Sequence, residues 1–217
     1  MVSQFPNFLQ QIFIPPSDLV QYLENTIKKT ATDDGGGVSE TTGNKSLLGF
    51  CYEYGIGTTP KLNSAFNLYK EVALHNDKYA QNFVNMAGKF AVGLCLGRGI
   101  GTQRNEAESR IWYRIAAEGG EASGANSLAR CYSKGYGGKV DLYKAAYWYR
   151  KSAQLENSDG QFTLGAMCWS GRGVSRDLHE GFKYLRRAYK NGNETTIRFL
   201  LWRGLHFSKF TFIENFN

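Results

Sequence analysis

The sequence predicts an all-α fold, an α-helical solenoid of repeated helix pairs, and three recurrences carry that prediction. Four stretches, 47–57, 91–101, 127–137 and 163–173, each end in two glycines one residue apart. Each glycine pair follows a small anchor residue, Gly49, Gly93, Ala129 or Gly165, by six and eight positions. Nineteen and twenty positions past each anchor stands a bulky pair: Leu68-Tyr69, Trp112-Tyr113, Trp148-Tyr149 and Tyr184-Leu185. The anchors are 44, 36 and 36 residues apart.

Helix physics accounts for each part of the period. Apolar and small residues at helical spacing, such as Leu128, Ala129 and Tyr132, mark a first helix. The glycine pair ends it, since the residue past a helix C-terminus often adopts a left-handed conformation and both glycines relieve Cβ crowding in a tight turn. A second helix follows, with Asp141 and Asp177 placed as N-caps in the third and fourth repeats. A second small residue sixteen past the anchor (Ala65, Ser109, Ala145, Gly181) lets the two helices approach closely. A base follows every bulky pair, at Lys70, Arg114, Arg150 and Arg186, and reads as surface charge on the second helix. One such pair cannot bury its apolar face alone, whereas stacked neighbours share a continuous core.

The pattern A/G-x-x-Y-x-x-G-x-G…D-x-x-K-A-x-x-W-Y-x-K-x-A resembles the Sel1-like repeat, a relative of the tetratricopeptide repeat. The third repeat, from Leu128 to Ala153, is nearly consensus, and the resemblance covers residues 45–192. It implies a right-handed α/α superhelix and a scaffold that binds a protein or peptide in its concave groove, in signalling or protein quality control. An alternative is a regulatory subunit that activates an enzyme such as a cell-wall synthase, and a third is a hydrolase of the cysteine-rich subtype. That subtype has two cysteines per repeat, and this chain has one. Three departures stand out. The first spacing is eight residues longer, close to two helical turns (~7.2 residues), so residues 82–90 are expected to extend the second repeat's first helix. The first repeat has Lys61 and Asn63 near the cap in place of Asp. The fourth replaces Trp-Tyr with Tyr184-Leu185.

These boundaries divide the chain into an extension (1–43), four repeats (44–77, 78–121, 122–157 and 158–192) and an end (193–217). In the extension, 17–30 reads as an amphipathic helix capped by Ser17, with Leu19, Leu23 and Ile27 on its packed face, and 31–43 as a Gly-rich linker. Residues 194–205 match the first helix of a fifth repeat without its double glycine, which suits a capping helix. The tail that follows is aromatic and unpatterned.

Composition and motifs narrow the function. Apolar residues are 42% and charged residues 21% of 217, an ordinary globular balance. Residues 181–217 hold +5 of the +7 net charge, which fits a solvated helix face and tail; without a dense Lys/Arg run, nucleic acid is not an expected partner. No stretch reaches the ~18 apolar residues of a spanning helix, and the start lacks a leader's basic region, so a soluble, cytoplasmic protein is expected. Cys51, Cys95 and Cys131 occupy one slot, two past the anchor, and Met167 takes it in the fourth repeat; a Met in the slot points to packing, not to a ligand or disulfide. His75, His179 and His206 are in non-equivalent places, and no phosphate-loop or nucleophile motif stands in the sequence, so neither catalysis, metal nor cofactor is expected.

The packed stripe of each first helix takes the anchor, the residue before it and the residue three after it. The opposite stripe faces the concave side if first helices line it. It holds Phe50, Glu53 and Tyr54; Phe90, Leu94 and Arg98; Asn126, Arg130 and Lys134; and Phe162 and Trp169. Aromatics mixed with Arg suit protein recognition. Phe90, Leu94 and Phe162 fit packing inside equally well.

Overall fold

A residue carrying a Cβ resists the left-handed backbone region by about 1–2 kcal/mol, so a chain that must enter it twice within three residues uses glycine twice. In a computed structural model of the chain, which describes residues 15–30, 38–74 and 83–202, all eight paired glycines have φ between 62° and 80°. Each pair ends a helix, with the Schellman bond at the first, second and fourth pairs and a simple left-handed cap at the third. Gly99 and Gly135 donate their N–H groups to Cys95 and Cys131 carbonyls at 2.7 and 2.8 Å. Ile56, Ile100 and Arg172, one residue further, reach the Cys51, Cys95 and Met167 carbonyls at 2.9, 2.9 and 3.1 Å.

Among the described residues there are ten α-helices and no strand: α1 (Pro16–Thr30), α2 (Val38–Tyr54), α3 (Leu62–Leu74), α4 (Phe83–Arg98), α5 (Glu106–Glu118), α6 (Ala122–Lys134), α7 (Leu142–Gln154), α8 (Ser158–Ser170), α9 (Leu178–Lys190) and α10 (Glu194–Trp202). They belong to two compact units, Met1–Arg104 with α1–α4 and Asn105–Asn217 with α5–α10. The boundary falls inside the second repeat. Within each unit every helix packs against the next in the chain, the solenoid architecture the repeat predicts.

The caps follow the sequence. Asp141 and Asp177 each accept a backbone N–H three residues on, at 2.9 Å. Asn105, Asn157 and Asn193 do the same for α5, α8 and α10 at 3.1, 2.8 and 3.2 Å, and Glu121 does so for α6. The cap position also closes the turn from its other side. The N–H groups of Lys61, Asp141 and Asp177 donate to the carbonyls of Tyr52, Tyr132 and Cys168 at 2.8–2.9 Å.

The core lies along the packed stripe. All four anchors, the residues before them (Leu48, Val92, Leu128, Leu164) and those three after (Tyr52, Leu96, Tyr132, Cys168) are buried. Close approach is the reason for small residues there. A Cβ on Gly49 would stand 2.8 Å from the Tyr69 ring, and one on Gly165 2.8 Å from Leu185. A further glycine, five before the anchor, works between repeats. Gly88, Gly124 and Gly160 abut Val72, Ala116 and Ser152 on the preceding second helix.

The second glycine of each pair sets the stacking. Its missing Cβ would lie under 3.0 Å from the first-residue carbonyl of the preceding second helix: Gly101 on Leu62, Gly137 on Glu106, Gly173 on Leu142. Gly57 meets Pro16 in the same way. Helix α1 therefore holds the place of a second helix, with Pro16 in register with Leu62, Glu106 and Leu142. The capping role expected for the extension has this concrete form.

Several expectations are corrected. Ser17 does not cap α1; Pro16 occupies the first helical position, where its missing N–H costs nothing, and the Pro15 carbonyl takes the first helical bonds from Asp18 and Leu19. Residues 38–43 of the expected linker are the first turns of α2, which packs on α1; 31–37 lie outside the described residues. Residues 83–90 are helical within α4, as expected for the extended first helix of the second repeat, and 75–82 lie outside the described residues. Helix α10 ends its described part at Trp202; Thr196 and Leu200 are buried in the register of Gly160 and Leu164, whereas Leu201, in the register of the anchor Gly165, is exposed. The predicted aromatic tail lies outside the described residues.

Among the described residues one non-glycine enters the left-handed region, Glu156 at φ 62°, where Gly120 and Gly192 stand one repeat away on either side. Its carboxylate ties the fully buried Gln161 (3.0 Å), Asn191 (3.0 Å) and Arg187, which joins α9 to the turn before α8.

Two glycines two residues apart should respond differently to alanine. Gly135→Ala meets the left-handed penalty and contacts of 3.1–3.2 Å, for a loss of about 1–2 kcal/mol. Gly137→Ala adds a clash with the Glu106 backbone, for about 2–5 kcal/mol. Urea denaturation of the two variants checks the order.

Candidate functional site

Which side chains a first helix offers to a partner depends on what its repeat's second helix already covers. In the N-terminal unit Phe50 and Tyr54 lie one turn apart on α2, ring centroids 4.6 Å apart, and Tyr54 is 59% exposed. Glu53, half-buried beside them, accepts the Tyr69 hydroxyl at 2.9 Å. Burial and that carboxylate together push the Tyr69 phenol far above its ordinary range. Tyr54 is raised by burial and then Glu53, against the opposing field of Arg98. Arg98 is exposed in the last turn of α4, and Leu94 and Phe90 are half-buried. The structure thus brings Glu53, Tyr54 and Arg98 into one electrostatic cluster around the buried Tyr69 and Cys95.

In the C-terminal unit Ser133 takes the place of Glu53, and the exposed side chains beside it are bases. Arg130 and Lys134 are exposed on α6, with Asn126 half-buried. Burial raises the Tyr149 phenol, while Ser133, Arg130 and Arg172 around it pull the other way. Trp169 is not gathered with these residues. It packs edge-on against Phe182 at 4.8 Å and Phe199 at 6.4 Å, and Phe162 joins Phe199 at 5.8 Å. This aromatic cluster, half-buried, ties α8 to α9 and α10.

The cysteine slot is buried in all repeats: Cys51, Cys95, Cys131 and Met167. Cys168, one residue past Met167, is buried too, and its Sγ stands 3.7 Å from Glu180. Burial, then Glu53, against Arg98, pushes the Cys95 thiol up to about 12; burial, then Glu180, pushes Cys168 to about 11. Among the described residues no three His, Cys, Asp or Glu side chains come together to hold a metal ion. No described helix is long and apolar enough to cross a membrane.

Two features escaped the motif reading. The second helices carry outward apolar side chains, among them Ile111, Tyr147 and the 80% exposed Tyr143. The other is a cluster of Arg110, Arg114 and Lys144 around Tyr132. A register comparison signals it, because Lys144 stands where the second and fourth repeats have Glu108 and Glu180.

The Sel1 repeat model matches residues 46–77, 87–121, 122–157 and 158–193, well over half the chain. The chain belongs to the Sel1 repeat family. Its fold is similar to the crystal structure of a Sel1 repeat protein from Oxalobacter formigenes, with TM-score 0.71 and 23% identity over 85% of this chain and 66% of that one. It is also similar to c5321, a protective antigen of uropathogenic Escherichia coli with an SLR fold, with TM-score 0.69 and 24% identity over 86% of this chain and 37% of that one. At these identities the likeness establishes the fold alone, and the chain spans only part of each neighbour's length. No curated protein matches the sequence. Sel1 repeat proteins are in general protein-interaction scaffolds without catalysis.

The thiols give a pH-dependent test. A folded pKa raised above the unfolded value of about 8.5 favours the fold fully below that pH, and the contribution fades as pH rises toward 11–12. Native protein at pH 8 should therefore react with a thiol reagent only as it unfolds, and the urea midpoint should fall between pH 8 and pH 10.5. Labelling that outpaces unfolding, or a flat midpoint, would contradict the burial.

Proposed function

We propose that this Sel1 repeat chain is a non-catalytic scaffold that binds a protein or peptide along the C-terminal turns of its first helices. The observation that supports the reading is the exposure of Tyr54, Arg98, Arg130 and Lys134 at the ends of helices whose other faces are locked in the core. Tyr and Arg are residue types that dominate binding hot spots. Fixing the helix ends by glycine turns and caps means that little side-chain support must be ordered on binding. A cytoplasmic location accords with four free, buried cysteines.

The test is capture of partners by the full chain and by a variant with Tyr54, Arg98, Arg130 and Lys134 changed to Ala. All four side chains are exposed, so the variant should keep its melting temperature within a few degrees. Specific partners should lose at least about tenfold in affinity. Undiminished capture by the folded variant sinks the assignment, and turnover of an ester or β-lactam by the purified chain sinks the non-catalytic reading.

A further inference from the structure

Because the chain repeats itself, each local site has internal controls. One position recurs where a second helix faces the residue three past the next anchor. At Tyr52 the facing residue is Glu24 of α1, which accepts the Tyr52 hydroxyl at 2.5 Å, while Lys61 lies 4.8 Å from the ring centroid. At Cys168 it is Arg150, paired with Glu180 at 3.2 Å. In both places an acid and a base meet.

The Tyr132 site breaks this rule. The facing residue is Arg114, and the position of Glu180 is taken by Lys144, 5.7 Å from the Tyr132 ring centroid. Arg110 adds a second guanidinium, 4.1 Å from the same centroid. The other second helices have Phe66, Ala146 and Phe182 in its register. The Nε of Arg110 is buried without a hydrogen-bond partner. Among the described residues no carboxylate pairs with Arg110 or Arg114. Two acids are nearby: Asp141 is 3.3 Å from Lys144 and caps α7, and Glu106 stands one turn before Arg110 on α5, where its charge acts with that of Arg110 on Cys131. Burial would raise the Tyr132 phenol, yet Arg110 and Arg114 outweigh it and leave it lowered.

We propose that Arg110, Arg114, Lys144 and the Tyr132 hydroxyl form a binding site for a phosphate monoester. The three bases outnumber the neighbouring acids Asp141 and Glu106, which suits a phosphate monoester, with its roughly −1.5 to −2 charge at neutral pH. Guanidinium groups offer the N–H forks that phosphate oxygens accept. Tyr132 is held by the core of α6, and the cations come from α5 and α7, so the donors converge from three elements of one compact unit. Tyr132 lies in the last turn of α6, between Arg130 and Lys134, but the cations belong to the second helices α5 and α7, so the site stands whether or not the exposed residues of the first-helix turns bind a partner.

Free phosphate and a phosphorylated side chain of another protein share this chemistry, and titration separates them. The full chain is titrated calorimetrically with inorganic phosphate, a short phosphoserine peptide and its unphosphorylated form. Saturable binding of either phosphate form, with none of the unphosphorylated peptide, is expected; the tighter of the two identifies the source. Lys144→Glu restores the acid that repeat four carries and should fold like the wild type by circular dichroism and melting. It should weaken phosphate binding at least tenfold, as should Arg114→Gln. No saturable binding by the wild type, or wild-type affinity in both variants, overturns the proposal. Equal binding of the unphosphorylated peptide overturns it too, since the site would then read something other than phosphate.

Discussion

Everything in the array depends on how closely the turn at the end of one first helix approaches the start of the preceding second helix. The second glycine of each pair makes that contact with a backbone carbonyl, leaving no room for a Cβ under 3.0 Å. Backbone cannot move aside as a side chain can, so the contact fixes the spacing of successive repeats. The first glycine has a more local task, the left-handed exit from the helix. The two differ in kind although their φ values are alike. The contact of Gly57 with Pro16 extends the rule to the extension, which is why α1 serves as a half-repeat and not as a loose appendage.

Once the stacking is set, the buried tyrosines link the core to the surface. Tyr69 and Tyr149 fill the space inside a repeat, and their hydroxyls emerge beside the residue four past the anchor, Glu53 or Ser133. The polar character of each first-helix face is therefore tied to the packing beneath it. The fourth repeat has Leu185 in place of tyrosine, needs no hydroxyl partner, and puts Trp169 at that position. The tryptophan then belongs to an aromatic cluster with Phe182 and Phe199. One substitution in the core thus accompanies a change from a polar face to an apolar one.

Repetition also makes charge legible. An Arg after the bulky pair is an ordinary surface residue in isolation. Beside Glu180 it is half of an ion pair, and beside Arg110 and Lys144 it is part of a cluster of three bases. The same letter has different consequences because the residue opposite it, one repeat on, has changed sign.

The period, the helix pairs, the caps at Asp141 and Asp177 and the burial of the cysteine slot were all legible in the sequence. Each follows from local rules: glycine's freedom at positive φ, side-chain capping, and helical spacing of apolar residues. The start of α1 at Pro16, the helical state of 38–43 and the glycines at 88, 124 and 160 depend on contacts with a neighbouring helix, and only tertiary structure decided them. The same holds for the surface. Spacing put Trp169 and Arg130 on one stripe, but the residues that close over a stripe come from other helices. Packing therefore left Arg130 exposed and drew Trp169 into an aromatic cluster. Sequence by itself determined that this chain is a stack of Sel1 repeats; which of its side chains remain available to a ligand was decided by what each repeat lays against the next.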